Sequence, residues 1–562
     1  MRFHLSLYLF IAGIYLLTAS GRIGRMSDST TMFHVAQSMI REGSLSSEPC
    51  DPRYDNADIG SLCVPGKDGR FYSGYGFVPS LAVVPAILCA QALSRVVHFD
   101  PVLLAKASVS FFTLLVAPLS CIVLAMWILK LGYSRRTAVL GACLLALGSP
   151  FWHNGVSGFL SEPYFILSLL FAAYLLSGPR IAYACALSGF AFGLACGTRV
   201  AGVALAPAYI LFLAFQNREH RLPWIQFVRD AVQFSLPVAF WGGLIAWTNY
   251  TRFGSIFKTG YHIAFPTLAF TFSNPLFRGA RDLLFHGEQG LVLFAPWVIL
   301  ALLYFPRFMR KHLPESVLCA GVTLITFVFY AKFQAWYGGW AGGPRYLLPI
   351  LPFLVLLIAP ALEAIQKRAS ASGNQRLWTF QRSTVILLLA SGFVIQAVTV
   401  SYPRDRYYAE FVFYANKPLK PWWYASTPLS ALAYWANTSI PKTEASYREP
   451  DRRRTDATVD SDSDPLSYWK HTSAATTENE FINWLPHPEN ATLPELMVLK
   501  RRLMGLPAKV IDAYMIAVLI IILTGAIGLK REIEYAELRG SCQTTEGGDS
   551  ISPSVTAGMA RF

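Results

Sequence analysis

Charge is scarce in this chain. Of its 562 residues only 15% are Asp, Glu, Lys or Arg, against 54% hydrophobic, and the mean hydropathy is +0.39. That balance excludes an ordinary soluble globular domain. Strict apolar and polar alternation is missing from the long apolar runs, which excludes a transmembrane barrel. No repeat of fixed period occurs. No basic stripe with interleaved aromatics lies outside the short gaps between apolar runs, so the net charge of +14 does not point to nucleic acid. Carboxylates on the side expected to face outward are too few and too scattered to show a metal site by spacing, so no cofactor follows and the use of a divalent metal is left open.

What the chain does have is many apolar runs of roughly 15 to 20 residues, the length that carries a helix across about 30 Å of hydrocarbon. The expected fold is therefore an all-α polytopic membrane protein. Its spans fall at about 3–20, 102–129, 137–152, 160–177, 181–197, 200–215, 231–248, 291–305, 316–331, 346–362, 383–401 and 510–528, roughly twelve in all. Basic residues cluster in the short gaps: Lys130, Arg135 and Arg136; Arg218 and Arg221; Arg307, Arg310 and Lys311; Lys367, Arg368 and Arg376; and Lys530 with Arg531 after the last run. The positive-inside rule makes these gaps cytoplasmic. A cleaved signal peptide is the rival reading of residues 1–20. A retained anchor is favoured because "LLTASGRIG" is a poor cleavage site.

The stretch "FVPSLAVVPAILCAQAL", 77–93, is long enough to cross but carries Pro79 and Pro85. If it crossed, the loops holding Arg135, Arg136 and Arg310 would all face outward, so it is read as a helix in the outer interface. The organisation expected is a transmembrane core over 1–401, an outward and partly ordered segment over 402–508, a last span over 509–530 and a cytoplasmic tail over 531–562. Further outward segments fall at about 21–101 and 249–290. Of nine cysteines most sit in apolar runs as small hydrophobes. Cys50 and Cys63 share the first outward segment, where a disulfide between them is expected.

Polar residues concentrate at the outward ends of the spans. "GRMSDSTTMFHVAQSMIREGSL" reads as an amphipathic helix from about Ser29 to Glu42 along the membrane surface, ended by Gly43, with Asp28 just before it. A helix cap is one account of that aspartate. Lys67 and Arg70 stand in a Gly- and Pro-rich loop where a cation can meet a lipid phosphate. Glu162, Arg199, Lys258 with Tyr261, and His286 with Glu288 each lie at a span end. Charges there reach water at little cost, so their placement on one side, as a polar vestibule, says more than any one of them. Arg345 follows a glycine cluster in "WYGGWAGGPRYLLP", with Trp336, Tyr337, Trp340 and Tyr346 suited to packing on a lipid chain or a sugar ring.

These segments in order, with "DGRFYSGYG", "SEP", "GLACGTR", "NYTRFGSIFKTGY" and "GGWAGGPRYLLPILPF", resemble the GT-C membrane glycosyltransferases, in the branch of protein O-mannosyltransferases, lipid A aminoarabinose transferase and galacturonosyl transferases of lipopolysaccharide core. The resemblance covers residues 1 to about 400. It implies transfer of a sugar from a polyprenyl-phosphate donor to a glycolipid, polysaccharide or protein acceptor at the extracytoplasmic face of the plasma or inner membrane. The family's acidic residue after the first span falls on Asp28. The second acidic residue common there is replaced by Ser29, and Glu162 can supply it only if the bundle joins the two ends.

An acceptor hydroxyl attacking an anomeric carbon loses a proton, so one carboxylate serves as general base, Asp28 or Glu162. A phosphate leaving group needs fixed positive charge rather than a general acid, which assigns Arg345, with Arg70, Lys67 and Lys258, to the donor phosphate. A transporter or flippase would also show about twelve spans, but usually with a repeat and polar residues at mid-span. A non-catalytic scaffold would tolerate loss of Asp28.

Overall fold

The structure is a computed structural model of the chain, and it describes residues 1–19, 27–47, 63–98, 100–178, 183–264, 267–287, 289–336, 338, 343–366, 375–401 and 508–545. It is helical throughout, apart from the short antiparallel pair β1 (Cys63–Pro65) and β2 (Phe71–Ser73), in which Val64 faces Tyr72. Helices α1 (Arg2–Leu17), α2 (Ser27–Glu42), α3 (Val78–Val97), α4 (Pro101–Lys130), α5 (Arg135–Leu147), α6 (Phe151–Val156), α7 (Glu162–Leu176), α8 (Ala184–Thr198), α9 (Ala206–Glu219) and α10 (Trp224–Phe253) build the first half. Among the described residues, seven helices are long and apolar enough to cross a membrane, and four shorter apolar ones join them.

Several expected spans are broken where proline removes a backbone donor. The run 346–362 is a 3-10 turn, Arg345–Ile350, followed by helices Leu351–Leu357 and Ala359–Ala364, with Pro349, Pro352 and Pro360 at the breaks. The run 291–305 divides at Ala295 and Pro296 into Leu291–Phe294 and Val298–Lys311. The last helix runs past its expected end, through Lys530 and Arg531, to Thr545.

The basic gaps gather at one end of the bundle. Arg135 bonds Glu532 at 3.1 Å and lies over the Phe3 ring, while Lys311 lies over the Tyr133 ring. Ser134 donates to Glu363 at 2.8 Å, so the 130–136 turn also meets the end of the Ala359–Ala364 helix. The opposite ends of these helices converge elsewhere. Helix Ala508–Thr545 packs antiparallel to α1, with Tyr514 donating to the Leu16 carbonyl at 2.7 Å and Gly525 against the Phe10 backbone. A side chain at Gly525 would strike that backbone, so close helix contact needs glycine here.

Helix α4 descends beside α1, with Tyr8 donating to the Leu115 carbonyl at 3.0 Å, and its first turns project beyond α1. That projecting part carries α3. Val83, Ile87 and Ala90 of α3 bury against Ala105 and Val109 of α4 and Met32, Phe33 and Ala36 of α2. Helix α3 is among the seven long enough to cross; it packs chiefly on α2 and α4, and its first turn also meets α8 and Trp241 of α10.

Candidate active site

Four charged side chains from four separate helix ends meet at the end of the bundle away from the basic gaps. Asp28 is in the first turn of α2, Glu162 is the first residue of α7, Arg199 ends α8, and Arg345 opens the 3-10 turn. Proline fixes two of these starts: Pro163 follows Glu162 in the first turn of α7, and Pro344 precedes Arg345. Gly343, at φ +84°, brings the chain into Arg345 through a conformation that side chains resist, and a Cβ added there would stand 3.0 Å from the Phe294 ring.

Arg345 spans both carboxylates. Its Nη2 bonds Asp28 Oδ2 at 2.5 Å, and its Nε bonds Glu162 Oε1. Arg199 closes on the same Glu162 oxygen through Nη2, and its Nε donates to Ser161 Oγ at 3.1 Å. Glu162 is fully buried and the Arg345 side chain is 6% exposed, whereas Asp28 and Arg199 each keep 13%. Two cations and two anions make the group neutral, which is the condition under which charges persist at such depth.

Tyrosines enclose the cluster. Tyr75, from the loop after β2, donates its hydroxyl to Asp28 Oδ1. Tyr261 meets the Tyr75 ring edge-on at 6.4 Å. Burial, reinforced by the nearby Asp28 charge, lifts the Tyr75 hydroxyl well above the usual range, and burial likewise raises Tyr261. Both therefore remain donors at any physiological pH. Tyr346 stacks on Tyr330 with centroids 4.4 Å apart, and the Arg199 guanidinium lies 5.8 Å from the Tyr346 ring.

The expected site residues divide into two groups. Asp28, Glu162, Arg345 and Tyr346 come together, with Arg199 beside them. The β-hairpin cations lie apart: Arg70 pairs with Glu42 at 3.1 Å with both side chains half exposed, and Lys67 sits over the Tyr250 ring at 4.6 Å. Lys258 is exposed in the turn after α10. Trp336 packs against His286 at 5.3 Å, while Tyr337, Trp340 and Glu288 lie outside the described residues. Cys63 is disulfide-bonded, and Cys50 lies outside the described residues, as does 402–507. Among the described residues no three His, Cys, Asp or Glu side chains gather as a metal site.

Arg345 is buried, and two carboxylates meet its charge. Tyr75 and Tyr330 escaped the sequence reading, since a tyrosine in an aromatic-rich membrane chain carries no periodic or charge signal of its own.

No known protein family and no curated protein matches the sequence. Among solved structures the chain is similar to the Archaeoglobus fulgidus oligosaccharyltransferase in its apo form, at 13% identity over 84% of this chain, with a TM-score of 0.46. It spans 64% of that protein's length. It is also similar to ArnT from Cupriavidus metallidurans in the apo state, at 13% identity over 93% of this chain and 75% of that one, with a TM-score of 0.45. ArnT bound to undecaprenyl phosphate matches at 14% identity over 70% of each chain, with a TM-score of 0.41.

Proposed function

We propose that this chain is a membrane glycosyltransferase that moves a sugar from a polyprenyl-phosphate carrier to a hydroxyl of a glycolipid, polysaccharide or protein at the extracytoplasmic face. The observation that carries this reading is Arg345 shared between Asp28 and Glu162. A guanidinium held by two carboxylates can exchange the more exposed one, Asp28, for a phosphate oxygen while Glu162 and Arg199 keep the rest of the group in place. Arginine is suited to this because its planar fork binds two oxygens at once.

In the transfer step the acceptor oxygen forms a bond to the anomeric carbon as the bond from that carbon to the phosphate oxygen breaks. The electron pair goes to the phosphate, where Arg345 and Arg199 stabilise the developing negative charge. The acceptor's proton goes to Asp28, freed from Arg345 and steered by the Tyr75 hydroxyl. Glu162 orients the two arginines and stays ionised throughout. The orientation proposed places the basic gaps in the cytoplasm and this cluster outside.

The test is Asp28→Asn, assayed as sugar release from a polyprenyl-phosphate donor by matched amounts of folded parent and variant. Asparagine caps a helix about as well as aspartate and keeps its shape. It cannot take the proton, so transfer should drop on the order of a hundred- to ten-thousand-fold. Activity within a few-fold of the parent removes Asp28 from the mechanism.

A further inference from the structure

A second basic site lies at the far end of α2, with no contact to the cluster just described. Gln37 and Arg41 share one face of α2, being four residues apart. Gln91, Ser94 and Arg95 share one face of α3 by the same spacing. The two faces and the first turn of α4 enclose an open cavity of about 340 Å³. Asp28 and Arg41 sit near opposite ends of α2, about 20 Å apart at the helical rise.

The chemistry of the lining is one-sided. It contains two guanidiniums, two primary amides and a hydroxyl, and no carboxylate. Among the described residues no acidic side chain pairs with Arg41 or Arg95. The neighbouring acids are otherwise engaged: Glu42 bonds Arg70, and Asp100 accepts the Val102 amide at 2.7 Å at the start of α4. The α4 amide is therefore not the recognition element, and the arginines are. Two arginine forks facing one cavity match a phosphate, while Gln37 and Gln91 can both donate to and accept from hydroxyls beside it. The volume falls in the range of small-molecule sites rather than of a single bound ion.

The flank of α3 indicates what carries that phosphate. Leu81, Leu88, Leu93 and Val96 form an exposed apolar stripe opposite the face that packs on α4. An apolar stripe edged by arginines is the pattern of a helix lying at the acyl boundary with its cations at head-group depth.

We propose that the cavity between α2, α3 and the start of α4 binds the phosphorylated head group of a lipid through Arg41 and Arg95, as a site separate from the Asp28, Glu162 and Arg345 cluster. This inference does not depend on sugar transfer, and its readout is binding. The full chain in detergent is titrated with dihexanoyl phosphatidic acid, dihexanoyl phosphatidylcholine and inorganic phosphate, and binding is followed by microscale thermophoresis. The parent should bind the acid saturably and the choline lipid far more weakly. Arg41→Gln with Arg95→Gln should weaken the acid by about tenfold or more, since each substitution removes charge-assisted bonds to phosphate. Gel filtration and melting of the double variant check its fold, and Gln91→Ala, a smaller change, should weaken binding in the same direction. Inorganic phosphate binding as tightly as the acid would overturn the lipid assignment. Acid binding unchanged in the folded double variant would overturn the site.

Discussion

Arg345→Ala should destabilise this protein strongly, although a basic residue at the lip of a span ordinarily adds little. The magnitude follows from what is left behind. Removing one partner of a buried pair costs about 3–5 kcal/mol because the remaining charge keeps its desolvation penalty without its compensation. Here the remaining charges are Glu162, fully buried and still held by Arg199, and Asp28, partly exposed and still held by Tyr75. Both keep a partner, so the loss should sit near the lower end, about 3 kcal/mol. Arg345→Lys should recover only part. An ammonium keeps the charge, but it cannot present separate donors to two carboxylates as the Nε and Nη2 of a guanidinium do. The assay is reversible unfolding by sodium dodecyl sulfate in mixed micelles, run on Arg345→Ala, Asp28→Asn and the double variant. A cycle should return a coupling of about 0.5–3 kcal/mol between the two residues. Unfolding of Arg345→Ala at the parental detergent fraction, with no coupling in the cycle, would refute the claim that this cluster is a closed, desolvated unit.

Glu162→Gln should be worse than Arg345→Ala, since a neutral amide would leave two guanidiniums facing each other in a buried space; loss of monodisperse protein on gel filtration is the expected result, with Glu162→Asp milder. Cysteines introduced singly at positions 135, 310 and 530 should resist an impermeant thiol reagent in intact cells, and labelling at 310 from outside would overturn the orientation proposed for the bundle. His312, in the turn between the helices Val298–Lys311 and Leu313–Lys332, is pushed down to about 4, chiefly by burial and secondarily by Lys311. The unfolded chain then binds the proton first, so stability should be lost as pH falls from about 6.5 toward about 4, and His312→Gln should flatten that part of a melting-versus-pH curve.

The sequence was informative wherever a local signal forces the backbone. Continuous apolar runs gave the helices, and the basic gaps, tested against one another, correctly grouped Arg135, Lys311 and Lys530 at a single end. Charge parity reads α3 as an interface helix, whereas its length and apolarity count it among the seven helices long enough to cross. Helix breaks inside 291–305 and 346–362 were legible in hindsight from Pro296, Pro349, Pro352 and Pro360. The pairing inside the site was not legible. Asp28, Glu162 and Arg345 are separated by well over a hundred residues at each step, and no rule of spacing reports that helix ends so distant in sequence meet.

That packing changes what the arginine does for the proposed base. A carboxylate oxygen that accepts from a guanidinium is not open to an acceptor hydroxyl until that bond is exchanged. Asp28 is held by Arg345 on one oxygen and by Tyr75 on the other. A phosphate arriving at Arg345 competes for the same Nη2 donor. Glu162 is the less replaceable partner, being fully buried and bound to Arg199 as well, so the exchange we propose displaces Asp28. In the proposed mechanism donor binding and the release of Asp28 to face the acceptor hydroxyl are then a single exchange: the guanidinium that stabilises the leaving group is the one that lets Asp28 go. The Asp28→Asn variant accordingly has two readouts that move in opposite directions. It loses the proton acceptor, so transfer falls. It also loses the anion that competes with phosphate, so a polyprenyl phosphate should bind at least as tightly as it does to the parent. A cap or a purely structural aspartate would leave transfer unchanged, and an aspartate that recruits the carrier would weaken binding along with transfer.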